Sequence, residues 1–171
     1  MLTKNFFNFV MAQTALSTVN GNAMVDYTGA AFASNFNTTS NCTGLKSIAT
    51  LAASAISTSN PGVRIGNGVT PPTVDDYNLE SMITSGFTCT NPSAPAISLE
   101  NDGVSISATY GITNTGTTAM TISEIGLFGK ITNSNITVFL LERTVLESPI
   151  TINPGETKQV TYTIRFNYPT E

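Results

Sequence analysis

The sequence predicts a mainly β protein built around an antiparallel β-sandwich, with a short helix or arm at its N-terminal end. Three observations predict it. Apolar and polar residues alternate strictly over Val104, Ile106, Ala108, Tyr110 and Ile112 and again over Val160, Tyr162, Ile164 and Phe166, the period of a strand with one buried face. Turn-forming clusters separate such runs at short intervals. Charged residues are only 11% of the 171 residues while hydrophobic residues are 40%, so the chain is globular with a surface made mostly of Thr, Ser and Asn.

Taken in order, the chain opens on Phe6, Phe9 and Val10 at helical spacing, continued by Gln13 and Leu16. That pattern favours a helix over about 3–15 with Thr3 as a candidate N-cap. The alternative is an extended arm whose Phe6 and Phe7 dock on a neighbouring subunit. One Lys followed by a run of Phe interrupted by Asn lacks the long apolar core of a signal peptide, so a mature N-terminus is expected. Residues 20–60 are poor in charge and rich in Ala, Ser, Thr and Asn. Met24 to Thr28 reads as a short strand after the Asn20-Gly21-Asn22 turn. Leu45 to Leu51 fits helix and strand equally well.

Asn60-Pro61-Gly62 is a turn. In the stretch that follows, Gly66 and Gly68 allow positive φ and Pro71-Pro72 stiffens the chain. Thr73 to Glu80 then reads as a capped turn leading into a helical turn or a strand. From Ala96 the β pattern is continuous. Ile97 and Leu99 alternate up to Asn101-Asp102-Gly103. The first long strand ends at Asn114-Thr115-Gly116. Met120 and Ile122 change phase to Ile125 and Leu127, which predicts a β-bulge near Ser123-Glu124. Val138 to Leu141 is a continuous apolar run, expected of a strand buried on both faces. Thr144 to Ile152 gives a further strand, broken by Pro149. Asn153-Pro154-Gly155-Glu156 has the residues of a type II turn. These strands and turns predict an immunoglobulin-like, Greek-key sandwich, without the Cys…Trp…Cys core of an antibody domain. The expected division is 1–60 for the helix or arm and the polar segment, and 61–171 for the sandwich, including the Gly/Pro-rich stretch 62–80. The sandwich itself is placed after Pro95.

Composition also limits the chemistry. There is no His, which removes Ser-His-Asp and Cys-His catalysis and most zinc sites. Two cysteines, Cys42 and Cys89, are compatible with pairing or with two thiols. Net charge is −4 with seven Lys and Arg and no basic cluster, which argues against direct nucleic-acid binding. No run approaches the roughly 18 apolar residues of a membrane span. Asp75 and Asp76, with Glu80 nearby, are the close acidic group. As a function they suggest a Ca²⁺ site or an acid/base pair; as structure, one caps the turn and the rest are solvated, which is the reading preferred here. Gly66-Asn67-Gly68 lacks the Lys-Ser/Thr of a phosphate loop. Glu142-Arg143 and Glu147, placed near a strand end, suggest a salt bridge or a contact between subunits. The expected chain is therefore not an enzyme and needs no cofactor or metal.

The stretch Ile65 to Glu80 resembles a group of small tailed-bacteriophage virion structural proteins. They carry a similar Gly-x-Gly-x-x-Pro-Pro … Asp-Tyr-x-Leu-Glu segment followed by a β-rich C-terminal part. Thr3-Lys4-Asn5-Phe6, Ile112 to Gly116, Glu124 to Phe128, Leu141 to Leu146 and Ile152 to Glu156 are similar as well, whereas 20–60 matches nothing in that group. The resemblance implies a structural role in the particle, in many copies, as a capsid decoration, neck or tail component. It also implies capsid, neck or tail proteins as partners, homo-oligomers, and a virion location reached by assembly in the host cytoplasm. The alternative is a host-receptor or carbohydrate-binding module of a head or tail fibre, for which Tyr77 beside Asp75 and Asp76 is the tempting cluster. Candidate partner contacts are Phe6, Phe7, Phe9, Asp75, Asp76, Tyr77 and Arg143, the aromatics being equally suited to an ordinary core.

Overall fold

The computed structural model describes residues 1–15, 24–32, 41–43, 45–52, 61–91, 94–133 and 135–169. Much of the polar segment 20–60 lies outside the described residues, as does the side chain of Cys42.

The elements run in the order α1 (Lys4–Ala15), β1 (Met24–Val25), β2 (Ala31–Phe32), β3 (Asn41–Thr43), a 3-10 turn (Leu45–Ala49), β4 (Gly62–Gly66), β5 (Phe87–Thr90), β6 (Ala96–Glu100), β7 (Gly103–Asn114), β8 (Met120–Asn133), β9 (Asn135–Ile152) and β10 (Thr157–Asn167). β1 and β2 form a small ribbon closed by a turn in which Asp26 accepts from the main-chain N–H of Thr28 and Ala30. The other strands form two four-stranded antiparallel sheets. Each has a long central strand, one long neighbour, and two short strands end to end along its other edge. In the first sheet β8 lies between β9 and the pair β4 and β3. In the second, β7 lies between β10 and the pair β5 and β6.

One core joins the two sheets. Val63, Ile65, Ile122, Ile125, Leu127, Phe139 and Leu141 of the first meet Tyr110, Ile112, Val160, Tyr162 and Ile164 of the second. α1 closes it from the side, with the Phe6 ring stacked on Phe166 at 5.9 Å between centroids. A smaller cluster of Leu79, Phe128, Val138 and Leu140 lies apart from this core.

The second sheet keeps the predicted alternation: along β10 Val160, Tyr162 and Ile164 are buried and Thr157, Thr161 and Thr163 exposed. The first departs from it. The predicted bulge is present, because Leu146, Glu147, Ser148 and Pro149 of β9 lie opposite Ser123 alone, between the pairs Glu124–Val145 and Ile122–Ile150. Pro149 therefore sits in the bulge and does not break the strand, which needs no ladder bond there. A second shift, between Leu127–Glu142 and Phe128–Leu140, leaves Leu141 without an opposite residue. Leu140 then packs in the small cluster and Leu141 in the main core, which accounts for the continuous apolar run.

Several expectations are corrected. The sheets do not begin after Pro95: β3 and β4 pair with β8, and β5 pairs with β7. The helix runs as expected, but the Thr3 hydroxyl donates to the carbonyls of Leu140 and Leu141 of β9, at 2.8 and 3.2 Å. Thr3 thus anchors the helix to the sheet. Leu45–Ala49 is a 3-10 turn, short enough to carry the mixture of apolar and β-branched residues that left it ambiguous. Gly155, at φ 75°, and the Glu156 N–H bond to Asn153 O complete the type II turn as expected.

Candidate functional site

The segment Asn67 to Met82, which carries the most recognisable stretch of the sequence, forms no helix and no strand beyond a single bridge from Met82 to Gly66. It is a long loop laid over the first sheet and held there by one buried charge cluster.

The cluster starts from Glu124, at the bulge in β8. Its side chain is fully buried. A carboxylate removed from water needs every lone pair occupied, and here four donors occupy it. Arg143 Nε donates at 2.8 Å, and the main-chain N–H groups of Ser81, Glu80 and Gly68 donate at 2.7, 3.1 and 3.2 Å. Three of the four belong to the loop. Arg143 lies on the neighbouring strand β9, paired across the ladder with Gly126. Its side chain is only 4% exposed, and beyond Glu124 it reaches Asp76 Oδ2 at 2.8 Å and Glu80 Oε2 at 3.5 Å.

Each loop carboxylate in turn organises its own main chain. Asp76 accepts from the N–H and hydroxyl of Thr73, at 3.0 and 2.8 Å. Glu80 accepts from the N–H groups of Val69 and Thr70 and from the Thr70 hydroxyl, at 2.8, 2.8 and 2.7 Å. The electrostatics follow. Burial opposes ionisation of Asp76, but its bonds to Arg143 and Thr73 outweigh this and hold its carboxyl below the usual range. The Thr70 amide and hydroxyl do the same for the solvated Glu80. Burial opposes the charge on Arg143, and Asp76 and Glu124 more than compensate, so its pKa is raised.

The glycines fit this cluster differently from their expected role. Neither Gly66 nor Gly68 adopts the left-handed region. They are small because the cluster leaves no room. A Cβ on Gly66 would stand 2.5 Å from the Ser81 carbonyl oxygen, and one on Gly68 would stand 2.7 Å from Glu124 Oε1. A Cβ on Gly126 would meet Leu79 Cδ2 at 2.9 Å, so Leu79 seats the loop directly on β8. Gly66, Gly68, Asp76, Leu79 and Glu80 therefore share one task, and the helical turn or strand expected after Thr73 does not form, because these bonds replace regular ones.

The remaining nominated residues divide by position. Asp75 is exposed and pairs with Lys4 at 2.5 Å. Tyr77 is 45% exposed on the rim of an open groove of about 520 Å³ that Arg143 and Asp76 also line. Phe6 is core, Phe9 is half-buried against Phe139, and Phe7 is 53% exposed. Glu142 and Arg143 lie within β9, not near a strand end. Glu142 accepts from the hydroxyls of Thr144, at 2.6 Å, and of Tyr162. Burial, and then the Glu142 charge, raise the Tyr162 pKa. Burial also brings the Arg64 pKa down to about 10; Arg64 donates to the Ala52 carbonyl at 2.9 Å.

Glu124 is the residue that sequence reasoning missed. Its signal was present: an acid set between Ile122 and Ile125 at the phase change of the strand. Among the described residues, no group of three or more His, Cys, Asp or Glu is placed to hold a metal ion. No described helix is long and apolar enough to cross a membrane. No family model, curated protein or solved structure matches the chain.

Proposed function

We propose that the chain is a structural protein of a bacteriophage particle, used in many copies as a capsid decoration, neck or tail component. The observation that carries the reading is the clamp. The residues that resemble the virion group, Gly66, Gly68, Asp76, Leu79 and Glu80, are those that lock the loop onto the sheet. Such a motif maintains a shape and leaves no carboxylate of the cluster free for acid–base work. The chain is accordingly read as a scaffold and not as an enzyme. A weakly charged surface adds support, since little charge has to be desolvated when subunits pack. Symmetric homo-oligomers and contacts with other capsid, neck or tail proteins belong to the same reading.

At the level of topology, we read the two sheets as an immunoglobulin-like Greek-key sandwich. The pairing of β7 with β10, across the β8–β9 hairpin of the opposite sheet, supports it. Mass spectrometry of purified particles tests the role: peptides of this chain should occur there at many copies per particle, and their absence overturns the proposal.

Tyr77 on the groove rim favours a second reading, a receptor- or carbohydrate-binding module. A Tyr77→Ala particle would then adsorb poorly to its host. Unchanged adsorption, with no signal on a glycan array, removes this reading and leaves the first standing.

A further inference from the structure

The second sheet ends in an open edge. β6 pairs with β7 on one side, and among the described residues nothing pairs with its other side. All five of its residues are exposed. Ile97 and Leu99, at 70% and 77%, are the most exposed large apolar side chains described. Their register explains why this is unusual. Ile97 lies opposite Ile106, which lies opposite Ile164; Leu99 lies opposite Val104, which lies opposite Phe166. Both side chains thus continue the core-facing rows of the sheet past the point where the first sheet and α1 cover them.

The main chain is equally incomplete. Tyr168 N–H donates to Asp102 O at 2.8 Å on the β10 side, and Thr115 N–H donates to Gly86 O at 2.9 Å on the β5 side. Ladder bonds of an antiparallel strand alternate between its two neighbours. Even-numbered residues of β7 therefore bond β10, and Gly103, Ser105 and Ser107 bond Glu100, Ser98 and Ala96. The N–H and C=O groups of Ile97 and Leu99 point to the open edge. Soluble proteins usually block such an edge with Lys, Pro or a bulge. β6 has none of these within Ala96–Glu100, and its one charge, Glu100, is held by Arg165 of its own sheet at 2.7 Å.

We propose that β6 pairs with β6 of a second copy of the chain, antiparallel, about a two-fold axis through Ser98. The strand is complementary to itself in that register. Ile97 faces Leu99 of the second copy and Leu99 faces its Ile97, and each such pair exchanges both ladder bonds. The apolar rows run on across the junction. Glu100 faces Ala96, so no like charges meet. Registers centred on Ile97 or Leu99 are worse, because they draw Pro95, which has no N–H, or the Asn101 turn into the ladder. The pairing goes beyond the particle role proposed above, and either can fail while the other stands.

Two measurements on the full chain test it. In sedimentation over a range of concentrations, the chain should pass from monomer to dimer. Leu99→Lys should weaken the dimer by at least about tenfold and leave the melting temperature unchanged at concentrations where the chain is monomeric, because Leu99 is exposed in the single chain. Under mild oxidation, Ser98→Cys should yield covalent dimers above the background of the parent chain. The two Ser98 positions would face each other at about 4.5 Å between Cα atoms, within disulfide reach. Ala96→Cys should not, since those positions would stand roughly 13 Å apart. Any of three results overturns the proposal: a chain monomeric at every concentration, which would leave the edge to another protein's strand; a dimer that survives Leu99→Lys; or Ala96→Cys cross-linking as well as Ser98→Cys.

Discussion

The two sheets share a plan but use their outer faces differently. In the second, the outer face of β7 and β10 is exposed and mostly a row of hydroxyls, with Thr109 and Thr161 in contact at 2.8 Å and Thr113 and Thr157 at 2.7 Å, and its one cation, Arg165, pairs at the surface with Glu100 and Asp102. It faces water and is left alone. In the first, the outer face is covered, and β8 is buried without interruption from Ile122 to Gly129. Covering a sheet face with a loop in place of a helix raises a problem, because a loop brings unpaired N–H and C=O groups with it. Glu124 solves this by accepting from the loop's main-chain N–H groups, and Arg143 by holding Asp76 and Glu80, which do the same within the loop. The contrast teaches that four charges of this weakly charged protein, Asp76, Glu80, Glu124 and Arg143, converge where a piece of irregular chain had to be made part of the interior.

The largest effect should follow from removing the centre of that arrangement. Arg143→Met leaves Glu124 buried without its cation and should cost about 3–5 kcal/mol, read as a fall in the midpoint of chemical denaturation. Pairing it with Glu124→Gln should recover part of the loss, since the buried charge is then gone; strict additivity of the two would mean that the residues do not act as a unit.

Next comes a steric comparison between the central strands. Gly126→Ala places a Cβ against Leu79, Leu140 and the Glu142 carbonyl at 2.9–3.0 Å and should cost about 1–3 kcal/mol. Gly111→Ala in the other sheet meets only the flexible end of Gln159 at 3.3 Å and Thr90 at 3.6 Å. It should cost nothing measurable. Equal losses at the two sites would erase the distinction between a covered and an open face.

Acid should loosen the covered face. Asp76 and Glu80 both have lowered pKa values in the folded chain, so their contribution is complete above the unfolded values of 3.8 and 4.5 and is lost as pH falls through the folded ones. Thermal melts from pH 7 downward should stay level to about pH 5 and then fall. The fall should be shallower in Asp76→Asn, which has already surrendered that share at neutral pH. Parallel falls would place the acid sensitivity elsewhere. The smallest effect is expected from Thr161→Val on the open face, within about 0.5 kcal/mol.

The same contrast explains what could be read from the residues alone. One-sided burial writes itself into a chain as alternation, so β7 and β10 were visible, as was the bulge where the phase of β8 changes. The all-buried Gly62–Gly66 carried no such signature, and β3 to β5 are strands only because β7 and β8 lie beside them. At the site, Asp76, Glu80 and Arg143 were visible as charges, and a local salt bridge for Arg143 was among the expectations. Their convergence was not visible, because Arg143 is 67 and 63 residues from its two loop partners. Outward contact remains open to Tyr77, Asp75 and Phe7, whereas Phe6 and Arg143 are spent on the chain's own interior.

The sequence spacing of the clamp also sets an order of assembly. Glu124 and Arg143 are 19 residues apart and belong to one hairpin, so that pair closes as a local event. Almost everything it will hold is made earlier: the loop, β3 and β4 all precede β8 along the chain. During synthesis these segments leave the ribosome before their seat exists. A nascent chain halted before β8 should remain protease-sensitive throughout, and protection of the loop, β3 and β4 should appear only once β9 has been released, with the second sheet completed by β10. Folding of the first sheet therefore runs against the direction of translation, with the late-made β8–β9 hairpin gathering in the first-made half.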